Sequence, residues 1–165
     1  MLYTYGEVKH FRVCLVKVEL QWFALGPVKV LCEVLKPEEH YKKPEFLELN
    51  NYGFYMYLGK DAERARYIGQ AYAKSDFALR RRVRWEIVKD GDGCAESAFC
   101  CKCKKYDVDR FNLLLKVAHI KSIQKGGVNV KVDDKIMNAI ERALIYERAQ
   151  AGDPLMNETS KKATN

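Results

Sequence analysis

The stretch between Gly53 and Gly69 constrains the fold of this 165-residue chain more than any other. Phe54 to Leu58 is dense in aromatic and apolar residues, Gly59-Lys60-Asp61 carries turn chemistry, and Ala65 to Gly69 resumes the strand-like composition. Aromatic side chains suit a pleated, half-buried surface, and Gly beside Asp lets the chain reverse between two strands. A β-hairpin is therefore predicted here, and the fold must contain a sheet built around it.

Ser75-Asp76 then offers N-cap chemistry for a helix with Leu79, Val83 and Ile87 on one side, and Asp90-Gly91-Asp92-Gly93 stops it. A cysteine-bearing loop runs to about Asp109, and Phe111 to Ile120 reads as a buried strand. After Gly126-Gly127, Val132 to Arg148 is predicted as a helix, with Ile136, Ile140 and Leu144 at helical spacing. Upstream, Glu7 to Leu35 reads as strands. Val13, Leu15 and Val18 mark the first, and Val28, Val30, Cys32 and Val34 alternate with Lys29, Leu31, Glu33 and Leu35 in the second. Leu25-Gly26-Pro27 supplies the turn between them. Lys36 to Leu49 is a polar connector containing Pro37 and Pro44, with room for a short helix. Strand, strand, helix, strand, helix is an α+β order. The expected organisation is a β-rich extension over 1–50, one domain over 51–157 and a polar tail over 158–165.

Charge narrows the partners. Lys and Arg outnumber Asp and Glu by 29 to 22, a net +7, and Arg80-Arg81-Arg82-Val83-Arg84 concentrates four of those cations. Such density suits a phosphate backbone, although a solvated helix face is the plainer reading. Apolar runs are broken well short of the ~20 residues a spanning helix needs, and no signal-peptide pattern opens the chain. The expectation is a soluble, intracellular protein, cytoplasmic or nucleoid/nuclear, without a membrane partner. In a reducing compartment six cysteines are expected as free thiols or metal ligands rather than disulfides; within the cluster of Cys94, Cys100, Cys101 and Cys103, free thiols or a disulfide are favoured. Structural zinc held by Cys94, Cys100 and Cys103 is the alternative, weakened by the absence of a paired C-x-x-C arrangement.

Phosphodiester cleavage needs an activated oxygen, cations to offset charge on the phosphate, and usually a hard divalent metal bound by one or two carboxylates. Gly53-Phe54-Tyr55 followed by Tyr67-Ile68-Gly69 resembles the paired motif that names the GIY-YIG nucleases, with Phe in place of the first Ile and a slightly longer turn over Asp61 to Arg64. Leu79-Arg80-Arg81-Arg82-Val83 is similar to the family's arginine helix, with Arg82 in the arginine's place. Arg80 is the alternative register, disfavoured because Arg81 then falls where an apolar residue belongs. The family commonly has a His or Tyr one turn after that arginine, and here the position is Glu86. Glu141-Arg142-Ala143-Leu144-Ile145, then Pro154 and Asn157, looks like the family's metal-binding end. Glu147 competes with Glu141, which is favoured for its place beside Ile140 and Leu144.

The resemblance covers roughly Gly53 to Asn157. It implies a three-stranded antiparallel sheet flanked by helices, and a metal-dependent DNA endonuclease, restriction-type by slight preference. It makes Tyr55 the general base or the residue that positions the attacking water, assisted by nearby cations because a phenol ordinarily titrates near ~10. Tyr67 would hydrogen-bond into the site, Arg82 would offset phosphate charge, and Glu141 would hold one Mg²⁺ or Mn²⁺. Gly53 and Gly69 would let the backbone pass close, and Asn157 would order the site. Arg80, Arg81, Arg84, Gln70 and Lys74 are the expected nucleic-acid contacts. A double-strand cutter would act as a homodimer. The competing reading, favoured by Glu86 and the stretched spacings, is a nucleic-acid-binding protein that keeps the fold without cutting.

Overall fold

The computed structural model describes residues 6–13, 16–36, 46–72, 77–88 and 97–157. Gly53–Leu58 (β3) and Ala65–Ala71 (β4) pair antiparallel, with Tyr55 opposite Gly69 and Tyr57 opposite Tyr67, so the predicted hairpin is present. The other edge of β3 pairs antiparallel with Leu114–Lys125 (β5). Every residue of β3 is buried, which explains its unbroken aromatic and apolar run: a strand covered on both faces has no polar side to alternate with. Alternation sends Tyr55 and Tyr57 into one core and Phe54, Met56 and Leu58 into the other.

Three helices close the first face, and one long helix closes the second. Val28–Leu35 (α1), Ala78–Ile87 (α2) and Ala98–Lys105 (α3) contribute Leu31, Val83 and Phe99 to the core of Tyr55 and Tyr57. Asp134–Gln150 (α4) lays Met137, Ile140 and Leu144 against Phe54 and Met56. The chain is thus α+β, with helical layers on both sides of an antiparallel sheet.

The N-terminal strands join that sheet. Gly6–Val13 (β1) pairs with Val16–Pro27 (β2), and β2 pairs with β5 over its whole length, from Val16 opposite Lys125 to Pro27 opposite Leu114. The order is β1-β2-β5-β3-β4, and the short strand Val128–Asn129 (β6) folds back on β5 after Gly126-Gly127. The expected three strands, β5-β3-β4, are therefore one end of a six-stranded sheet.

Three expectations are corrected. Val28 to Leu35 is a helix, not a strand: its buried residues are Val28, Leu31 and Leu35, spaced by three and four. The alternating reading grouped Val28 with Val30, which is exposed. Leu25-Gly26-Pro27 is accordingly no hairpin turn but the irregular end of β2, where Gly26 at φ 106° accompanies a register shift and Pro27 starts the helix. The cysteine loop contains α3, capped by Ser97, whose buried face is made of Phe99, Cys100 and Cys103. Cysteines carry that face, so the apolar period was hidden.

Boundaries also moved. β5 begins after a 3-10 turn over Arg110–Asn112 and runs past Ile120 to Lys125, while α4 starts at Asp134 because Asp133 accepts the main-chain N–H of Ile136 at 2.8 Å. The connector ends in a 3-10 turn over Leu47–Leu49. The Ser75-Asp76 cap, the Asp90–Gly93 stop, both connector prolines and the polar tail lie outside the described residues. Among those described, no helix is long and apolar enough to cross a membrane.

Candidate active site

Tyr55 and Tyr57 point from β3 toward α2 and α3, and Tyr67 reaches the same side from β4. Tyr57 stacks on Phe99 with ring centroids 3.9 Å apart, and the Tyr55 and Tyr67 rings are 6.4 Å apart. Gly69, opposite Tyr55, makes the packing feasible: a Cβ there would overlap the Tyr55 ring and hydroxyl. Gly53 serves β3 in the same way, since a Cβ would run into the carbonyl oxygen of Ala118 on β5.

Helical geometry separates the four arginines of α2 by roughly 100° per residue. Arg80 is fully buried, with Nε donating to Asn50 Oδ1 at 2.6 Å and Nη2 to the Phe46 carbonyl at 3.0 Å. Arg84 donates to the carbonyls of Leu35 at 3.0 Å and Lys36 at 3.3 Å, at the C-terminal end of α1. Both were expected to contact nucleic acid, and both are instead committed to main-chain or amide oxygens of this chain. Arg81 is exposed toward a cleft. Arg82 is the arginine beside the tyrosines. Its side chain is 43% exposed, it lies over the Trp85 ring at 5.3 Å, and it feels the charges of Glu86 and Glu141.

One turn on, Glu86 is buried beneath Arg82. Tyr55 Oη donates to one carboxylate oxygen at 2.7 Å, Tyr57 Oη donates to the other at 3.0 Å, and Arg82 Nε stands 3.8 Å away. Burial pushes this carboxyl up to about 7, against the opposing pull of the two phenols and Arg82. In the sequence Glu86 stands out only as a departure from a family position. Its spacing from Leu79 and Val83 by seven and three residues, on the core side of the helix, was the available signal: a carboxylate there requires donors.

The same cluster bears on the general-base role expected of Tyr55. That phenol is 1% exposed, and burial first, then the charge of Glu86, hold it well above its ordinary value, with Arg82 opposing. It therefore stays protonated and spends its proton on Glu86. Tyr67 is only partly buried, and it too is raised, by burial and then by Glu86 and Glu141. Burial divides these groups: Tyr55, Tyr57 and Glu86 are closed off, whereas Tyr67, Arg82 and Glu141 keep solvent access.

Glu141 arrives from α4 on the far side of β4. Burial raises its carboxyl, while a hydrogen bond from Gln70 and the charges of Arg82 and Arg142 lower it. Glu147, the competing carboxylate, is exposed. Gln70 also donates from Nε2 to Asn138 Oδ1 at 2.6 Å, and its Oε1 is a buried acceptor without a hydrogen-bond partner. A half-buried carboxylate beside an unsatisfied amide oxygen is an oxygen-only donor set, which fits a hard cation completed by water and substrate oxygens. An open cleft of about 690 Å³ adjoins these groups, lined by Gln70, Tyr72, Arg81, Arg82, Trp85 and Asn138 among others.

Asn157 is placed by the segment after α4, which runs along the outer edge of β4. Asp153 accepts from the Ala65 N–H at 2.8 Å, the Met156 N–H donates to the Arg66 carbonyl, and the Asn157 amide both accepts from Ile68 N at 2.8 Å and donates to Ile68 O at 2.7 Å. A side-chain amide thereby imitates a neighbouring strand between Tyr67 and Gly69.

Lys74 and Cys94 lie outside the described residues. Cys100 is disulfide-bonded, so its sulfur offers no thiolate to zinc. Cys103 is a free, buried thiol pushed up to about 11 by burial. Among the described residues, no group of three or more His, Cys, Asp or Glu could hold a metal. No family model matches the chain, and no curated protein or solved structure matches it either.

Proposed function

We propose that this chain is a divalent-metal-dependent DNA endonuclease of the GIY-YIG kind, hydrolysing phosphodiester bonds at the cluster of Tyr67, Arg82 and Glu141. The observation that carries the reading is electrostatic proximity. Arg82 from α2 lines an open cleft, and the charge of Glu141 from α4 acts both on Arg82 and on the Tyr67 phenol from β4. Groups from elements this far apart in sequence rarely converge on a solvent-facing edge for packing alone, and perturbed ionisable clusters in clefts favour functional sites.

In this reading Arg82 offsets the charge that builds on the non-bridging phosphate oxygens. Glu141, with Gln70 Oε1 beside it, would hold one Mg²⁺ or Mn²⁺, whose chemistry when bound is to polarise the phosphate and stabilise the leaving oxygen. Tyr67, the phenol with solvent access, orients the attacking water, and Tyr55 supports it from below. Arg81 and Trp85 line the cleft where a strand would run, one suited to phosphate and the other to base stacking. One such site cuts one strand at a time, so nicking comes first and two-strand cleavage calls for a second copy, as in a homodimer.

A second reading, a nucleic-acid-binding protein that does not cut, is favoured by one observation: Tyr55 is closed off from solvent. Supercoiled plasmid separates the two. Metal-dependent nicking by the wild type, lost in Arg82→Ala and Glu141→Ala, is the outcome expected of the nuclease. A gel shift without nicking in either Mg²⁺ or Mn²⁺ would support the binding protein.

A further inference from the structure

Two phenols and a guanidinium converge on a single buried carboxylate, and nothing assigned to the site so far uses it. We propose that Glu86 is a positioning residue of the cutting reaction: its ionised carboxylate fixes the Tyr55 and Tyr57 hydroxyls beneath the site and holds Arg82 above them, so that cutting requires Glu86 to be charged. This rests on the nuclease reading and adds to it the group that sets its pH dependence.

The geometry has two states. Ionised Glu86 has no hydrogen of its own, so each oxygen accepts one phenol proton, at 2.7 Å and 3.0 Å, and the negative charge faces Arg82 Nε at 3.8 Å. Protonated Glu86 has a hydrogen to place. One phenol must then turn from donor to acceptor, and Arg82 loses the charge that draws it inward. Because Tyr55 is wedged against Gly69, a rearrangement of its hydroxyl is transmitted to β4, where Tyr67 sits two residues away.

The groups facing Glu86 leave it as the one poised near neutrality. From β3 come Tyr55 and Tyr57, both raised far above neutrality; from β4 comes Tyr67, also raised. Its own helix supplies Arg82, and α3 supplies Cys103, pushed up to about 11. Arg110 donates to the main-chain oxygen of Glu86 at 3.4 Å and to Cys100 Sγ at 3.1 Å. Burial places Glu86 itself at about 7, within the range where a modest pH change alters its charge.

Three proteins test the proposal: wild type, Glu86→Gln and Tyr57→Phe, each assayed for metal-dependent cleavage from about pH 5 to about pH 9 with thermal melts alongside. The wild-type kcat should rise through about pH 7. Glu86→Gln should remain folded, lose roughly a hundredfold or more in kcat with little change in KM, and lack that rise. Tyr57→Phe removes one hydrogen bond from the charged form, so its rise should move to higher pH. A kcat for Glu86→Gln that keeps the wild-type value and pH profile would overturn the positioning role. So would a Tyr57→Phe profile that has not moved, or losses that only follow the folded fraction. If the wild type does not cut in Mg²⁺ or Mn²⁺, the nuclease reading falls and takes this role with it; if the wild type cuts and the variants match it, only the role of Glu86 falls.

Discussion

Four arginines fall within five consecutive positions of α2, yet their surroundings give them different work. Arg80 is a structural cation: its guanidinium fills a buried position and satisfies Asn50 and the Phe46 carbonyl. Arg80→Ala should destabilise the fold by about 2–4 kcal/mol, because it removes buried volume and leaves two acceptors unpaired; a lower urea midpoint is the readout. Arg82→Ala should melt near the wild type and lose roughly 10²–10³ in kcat, as expected when a group that stabilises transition-state charge is removed. The sequence favoured Arg82 over Arg80 for the site on register alone, and it placed Arg80 among the nucleic-acid contacts rather than in the core, where the structure buries it. Glu86 was legible only as an odd residue at a known position. Its partners Tyr55 and Tyr57 lie about thirty residues away, and no local pattern says which phenol meets which carboxylate.

At the scale of elements, the edge of the sheet is where site and stability meet. β4 ends the sheet, and an open edge would leave its N–H and C=O groups without partners. Asp153, Met156 and Asn157 cover it, and Asn157 brackets Ile68 with two bonds. Asn157→Ala should cost about 1–2 kcal/mol and speed hydrogen exchange at the Ile68 amide more than at β3 amides. Cleavage should fall as well, because Tyr67 and Gly69 flank the loosened residue. α2 and α4 were readable from apolar residues at helical spacing, and the hairpin and β5 from dense apolar and aromatic runs beside turn residues. The other helices were not. An eight-residue run such as Val28 to Leu35 fits both periods, and only burial of Leu31 with Val28 and Leu35 decides for the helix. α3 buries cysteines where the pattern looks for leucines.

Across the whole molecule, Glu86 sets activity against stability. Its folded value of about 7 lies above the ordinary 4.5, so folding binds a proton between those limits. The stabilising contribution is fully present below about 4.5 and is lost as pH rises through about 7, amounting to at most about 3 kcal/mol. Acidifying from about pH 8 to about pH 6 should therefore raise Tm while cleavage falls, and Glu86→Gln should flatten both trends. A group kept for packing alone would not produce opposite slopes. The net charge of +7 adds that DNA binding should weaken steeply with salt, whichever of the two functional readings holds.

The claim that this cluster cuts DNA is met most directly by single-turnover cleavage of a duplex at saturating protein, wild type beside Glu141→Ala, with binding followed by fluorescence anisotropy. The account predicts equal binding, Mg²⁺- or Mn²⁺-dependent cutting by the wild type, and a loss of roughly 10²-fold or more in Glu141→Ala. Equal binding with no cutting by either protein, or equal cutting by both, would contradict it.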